Sequence, residues 1–159
     1  MLSKYEAASF VEQILNTALA GMVSGAQIVF GVIVALVVLA TPFARFAFHG
    51  YGAFNIAGTD VQLVSAAVIL TTLGIAYFAY LYGRRSSQPA RYAKLTLYLG
   101  LFQWLWILSA YLSVSNEIIY HSTFAVDGYS WWLGGAAYAT ALGAIIFTVT
   151  GLLAVRVTR

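Results

Sequence analysis

Hydrophobic residues in this chain come in long continuous runs, not in alternation with polar ones. Four stretches carry no charged side chain: Gln13 to Ala44, Val61 to Gly83, Leu95 to Asn116 and Gly128 to Val155. A helix needs about 20 residues to cross roughly 30 Å of hydrocarbon, and each stretch is long enough. A charge at the bilayer centre costs several kcal/mol, so the four windows read as segments from which a membrane has excluded charge. Because the runs are continuous and lack period-two alternation, they predict helices and not the strands of a barrel. The expectation is an all-α integral membrane four-helix bundle made of two transmembrane hairpins. It forms one domain over 1–159, with spans near Gly21–Phe43, Val61–Tyr82, Leu95–Val114 and Trp131–Ala154.

The first twenty residues follow a different pattern. Tyr5, Phe10, Val11, Ile14, Leu15 and Ala18 recur near helical spacing, with Lys4, Glu6, Glu12, Gln13 and Asn16 between them. This predicts a short amphipathic helix on the membrane interface, after which the chain turns inward around Gly21 and Gly25. The acids in its first turns, and the length of the apolar run behind it, do not suit a cleaved signal peptide.

Composition agrees with the pattern. Of 159 residues, 62% are hydrophobic and 8% charged, against about a quarter charged in a soluble domain. Charge adds an orientation. Lys4, Arg84, Arg85, Arg91, Lys94, Arg156 and Arg159 all lie on one side of the expected bundle, and only Arg45 lies on the other. The positive-inside rule makes the basic side cytoplasmic, with both termini there, in a cell or energy-transducing membrane. The absence of cysteine excludes disulfides, thiolate metal sites, covalently attached haem and a cysteine nucleophile.

Within the spans, Gly135, Ala139, Gly143 and Gly151 form a small-residue face, and Gly21 and Gly25 repeat the pattern on a smaller scale. Small residues let helix backbones approach closely in lipid, so the longer face predicts a contact within the bundle or with another membrane subunit. Gln27 and Gln103 fall at similar depths on two spans running in the same direction, and a buried amide wants a partner, so they are expected to pair. Phe43, Phe46, Phe48, Tyr51, Tyr120, Tyr129, Trp131 and Trp132 form an outer aromatic belt, with Tyr80, Tyr82 and Tyr92 as an inner one.

Candidate chemistry is sparse. His49 and His121, both in expected outer loops, are the available imidazoles. They could ligate a b-type haem or share a metal with Asp60, Glu117 or Asp127. Asp60 also suits a helix N-cap and Asp127 a turn before Gly128. Trp104 and Trp106, near the middle of span three, could wall a quinone, pigment or haem, or simply fill space. The interior of the spans holds no ionised side chain, which argues against a proton relay or a charge-coupled transporter. No phosphate-binding glycine motif is present, and nothing suggests nucleic acid.

Three functional classes remain. The favoured one is an accessory, non-catalytic subunit of a larger membrane complex of the energy-converting or redox kind, in contact with lipid and other membrane subunits. A homo-oligomeric channel or small-solute transporter could instead line a pore with Ser65, Thr71, Thr72, Ser109 and Ser113. A haem- or quinone-binding electron-transfer subunit would use His49 and His121.

Overall fold

The computed structural model describes the backbone of residues 4–48, 52–55, 59–84, 87–124 and 129–158, and side chains at 9–45, 63–84, 87–116 and 132–158. Four helices hold most of the chain: α1 (Lys4–Ala40), α2 (Thr59–Gly83), α3 (Pro89–Phe124) and α4 (Gly135–Val157). Each is long and apolar enough to cross a membrane. They form a ring in which α1 and α3 each pack against both α2 and α4, while α2 and α4 scarcely meet across the diagonal. One end of the bundle carries Arg84, Arg91, Lys94 and Arg156, and is the basic end.

The opposite end is not made of loops alone. Strands β1 (Ala44–Phe48), β2 (Gly52–Asn55) and β3 (Tyr129–Leu133) form an antiparallel sheet in the order β2-β1-β3. Phe54, Phe46 and Trp131 stand opposite one another across it, and Asn55, Arg45 and Trp132 occupy the next row. The expected all-α architecture is therefore corrected by this sheet. Trp131 belongs to β3 and not to span four, and α4 begins only at Gly135.

Local chemistry sets these boundaries. Pro42 disfavours helical geometry at Thr41, and the Thr41 hydroxyl turns back to the Val37 carbonyl at 2.8 Å, so α1 stops at Ala40. Gly134 is extended at φ −86°, ψ 172° and donates its N–H to the Phe43 carbonyl at 2.8 Å, prolonging the β1–β3 pairing. A Cβ at Gly134 would stand 1.9 Å from the Pro42 oxygen, so only glycine allows the strand-to-helix corner here. Pro89 opens α3 at a first-turn position where its missing N–H costs nothing.

The N-terminal segment also departs from expectation. It is helical, but it is no separate interfacial helix, because α1 runs unbroken through Gly21 and Gly25. Single glycines weaken a helix by about 1 kcal/mol each without breaking it, and Ala18, Leu19, Ala20, Met22, Ala26 and Gln27 around them favour continuation. Gly83, the last residue of α2, lies against Ser24, and Thr150, seven residues before the end of α4, lies against Gln27. The first sixteen or so residues of α1 therefore extend past the bundle's basic end, by about 24 Å at the rise of an α-helix.

The apolar core runs along the ring's axis. Val34, Val38, Val64, Val68, Ile75 and Phe147 fill it on the side nearer the sheet, and Ala79, Tyr82, Ala93 and Ala154 continue it at the basic end.

Candidate functional site

The buried polar residues are arranged as a set of ties between neighbouring helices. Gln27 on α1 is fully buried. Its Oε1 accepts the Tyr82 hydroxyl of α2 at 2.9 Å, and its Nε2 donates to Thr150 Oγ1 of α4 at 3.0 Å. The Thr150 hydroxyl in turn donates to the Ile146 carbonyl at 2.7 Å. Ser24, one turn from Gln27, donates to the Ala79 carbonyl of α2 at 2.8 Å. Three helices thus meet at a closed hydrogen-bonded station near the basic end.

A second station lies at mid-depth. Gln103 of α3 is fully buried and donates through Nε2 to Thr72 Oγ1 of α2 at 2.6 Å. Trp106 Nε1 donates to Thr71 Oγ1, also on α2, at 3.2 Å. Trp104 points the other way and donates to Thr148 Oγ1 of α4 at 3.2 Å. All four adjacent helix pairs of the ring are therefore tied by at least one side-chain hydrogen bond.

These positions correct one expectation. Gln27 and Gln103 do not pair with each other, since each finds threonine partners on α4 or α2, and Gln27 also holds Tyr82. The Gln103 Oε1 atom is buried and has no partner among the described residues. The Trp104 and Trp106 indoles turn to α4 and α2 respectively. That both amides would be buried was legible in the sequence, but neither their relative depth nor the rotation of each helix about its axis was: their partners Tyr82 and Thr72 stand ten residues apart on α2.

The small-residue face of α4 is used inside the bundle. A Cβ at Gly151 would meet Leu97 Cα of α3 at 2.7 Å, one at Gly143 would meet Val34 of α1 at 3.2 Å, and one at Gly135 would meet Thr41 Oγ1 at 2.7 Å. Gly100 answers from α3, against the Phe147 backbone at 2.9 Å. The reverse holds on α1. Gly21 and Gly25 are exposed and have nothing within 4 Å of where a Cβ would stand, alone among the described glycines.

Of the imidazole candidates, His121 falls on α3 and not in a loop, though its side chain lies outside the described residues, as do all of His49 and Asp127. Asp60 is in the first turn of α2 and Glu117 is on α3, with their side chains likewise outside the description. Among the described residues no group of three His, Asp or Glu could hold a metal.

Two cavities flank the ties. A polar one of about 480 Å³ at the basic end lies between Glu12, Gln13 and Asn16 of α1 and Tyr82, Pro89 and Thr158. An apolar one of about 440 Å³ opens between α3 and α4 toward the sheet. The chain matches no protein-family model, no curated protein and no solved structure, so its functional reading rests on its own residues.

Proposed function

We propose that this protein is an integral membrane four-span bundle, with both termini cytoplasmic, that serves as an accessory subunit of a larger membrane complex. One observation carries the reading: α1 has an apolar face with no neighbour among the described residues of its own chain. Phe10, Ile14, Ala18, Gly21 and Gly25 follow one another at steps of three or four residues and share one side of the helix. Phe10 is 61% exposed and Ile14 55%, and the two glycines are open. The face starts on the projecting part of α1 and continues down to the level of the bundle.

Its two halves call for the same occupant. In lipid, small residues on a helix face are the means by which a second helix comes close. Beyond the basic end, apolar side chains on a projecting helix meet water, at about 25 cal/mol for each Å² left uncovered. A partner helix lying along α1 would satisfy both. The polar side of the same segment, with Glu12, Gln13 and Asn16, faces the bundle's end.

The interior supports a structural role. Thr71 and Thr72, candidates for lining a pore, are held by Trp106 and Gln103, and Val34, Val68, Ile75 and Phe147 occupy the axis. An energy-converting or redox setting for the complex remains part of the proposal. Co-migration of a haem or flavin absorption band with the purified assembly supports that part, and an assembly without such a band removes it.

The test of the α1 face is photocrosslinking in native membranes. A photoreactive residue at Ile14 is expected to capture a second polypeptide, whereas one at Leu70 of α2, equally outward-facing, is expected to capture none. Capture at both sites, or at neither, contradicts the reading.

A further inference from the structure

The cleft between α3 and α4 arises from how those helices cross. Toward the basic end, Gly100 and Gly151 bring the two backbones into contact, at positions where a Cβ would lie 2.9 Å and 2.7 Å from the facing main chain. Toward the sheet, the facing positions are Ala110, Ala137 and Ala141, too small to fill the space between the helices, and the cleft of about 440 Å³ opens there. Its volume lies within the roughly 300–1,000 Å³ typical of ligand sites. Its length along α3, from Ile107 to Ser115, is about 12 Å at the helical rise. That is close to one leaflet's share of a hydrocarbon core about 30 Å thick.

The lining is graded. Its deep end is Ile107, Ala110 and Ala141, and its sheet end is closed by Phe43 and Leu133. The deep Thr140 hydroxyl is turned back to the Ala136 carbonyl of its own helix at 2.8 Å, and the other hydroxyls lie from mid-cleft toward the sheet, where Tyr111 and Tyr138 form the rims, 68% and 58% exposed, with Ser115 beside them. Tyrosines in such pairs mark the depth of lipid headgroups. Arg45, the one Lys or Arg on the sheet side among the described residues, is exposed on β1, two residues beyond Phe43 and paired in register with Trp132, the neighbour of Leu133. The surface flanking the mouth is hydrocarbon-like, with Leu108, Leu112, Leu142 and Ile145 all exposed.

We infer that this cleft is a binding site for one acyl chain of a membrane phospholipid, held with its ester region at Tyr111, Tyr138 and Ser115 and its phosphate on the side of Arg45. An apolar cavity of this size offers water no partners, whereas a hydrocarbon chain restores the dispersion contacts that the alanines leave unmade. The graded lining matches an amphiphile that is apolar at depth and polar at the surface. The phosphate supplies the negative charge that Arg45 lacks within the described residues of its own sheet row. The inference rests on the membrane-spanning reading given above, but not on the partner face of α1.

The experiment uses the intact chain in vesicles that contain a phospholipid with a photoreactive group midway along one acyl chain. A diacylglycerol with the same chain serves in a parallel arm, and adducts are mapped by peptide mass spectrometry. Adducts are expected to concentrate on 107–115 and 137–141, several-fold above those on the outward residues Leu101 and Leu152. The phospholipid should label more strongly than the diacylglycerol, and Arg45→Gln should abolish that preference. Filling the cleft with Ala110→Phe and Ala141→Phe should move the adducts to the outward residues. Uniform labelling of the exposed faces of the wild-type chain overturns the site, and this readout does not depend on whether a variant folds. Equal labelling by the two lipids overturns the phospholipid assignment. A chain stripped from vesicles by alkaline carbonate overturns the membrane-spanning reading itself, whereas a retained chain with uniform labelling overturns the cleft alone.

Discussion

Gln27 and Gln103 are both buried amides, yet their surroundings differ in a way that stability measurements can separate. Gln27 satisfies the Tyr82 hydroxyl and binds Thr150, so Gln27→Leu strands a buried phenol. Leaving such a group unpaired costs roughly 1–3 kcal/mol. Gln103 already has one unpartnered oxygen, and Gln103→Leu removes that orphan together with a single bond to Thr72. The detergent melting midpoint is therefore expected to fall further for Gln27→Leu than for Gln103→Leu. Adding Tyr82→Phe to Gln27→Leu should recover part of the loss, because the stranded hydroxyl goes with it. Equal losses, or strictly additive ones, would contradict the assigned partners. The amide types and their burial could be read from the chain, since a lone Gln in a charge-free run has to be satisfied somewhere. The partners could not, because Thr72 and Thr150 look like any other threonine until helix rotation is known.

Glycine behaves differently from one helix to another. Gly151 meets the backbone of Leu97, so Gly151→Ala should push α3 and α4 apart and lower the melting midpoint, by an amount of order 1–3 kcal/mol typical of overpacking. Gly21→Ala meets nothing, so the isolated chain should be unaffected or gain up to about 1 kcal/mol from helix propensity. A thermal scan of the two variants in the same detergent checks this, and a loss at Gly21 matching that at Gly151 would refute the open face. The four helices were legible from charge placement alone, as was the small-residue stripe on α4. The sheet was missed because its strands are four or five residues long and fall among aromatics that already had an explanation as an interfacial belt. A signal was present all the same: aromatic-rich 44–48 and 52–55 flank a short segment containing Gly50 and Tyr51, a pattern suited to a hairpin. The amphipathic period of the first twenty residues was also legible. What that period could not show was that α1 would continue straight through Gly21, because periodicity fixes which residues share a face and not where an axis bends.

At the scale of the molecule, the basic residues gather at one end of the bundle and the sheet caps the other. The absence of native cysteine makes single-cysteine labelling a clean test of orientation. Ser87→Cys, at the exposed basic end, should react with a membrane-impermeant maleimide only after cells are opened. Asn116→Cys, exposed toward the sheet, should react in intact cells, and the opposite pattern would invert the topology. Side-chain hydrogen bonds tie each adjacent helix pair of the ring, and under the proposed function the open face of α1 is where a partner docks. The mass of the particle extracted from native membranes in a mild detergent tests this most directly, measured for the wild type and for a variant carrying Ile14→Glu and Gly21→Leu. The account predicts a wild-type particle containing further polypeptides and a variant reduced to the lone four-helix chain. A wild-type protein that leaves the membrane as a monomer, or a variant that keeps all its companions, would contradict it.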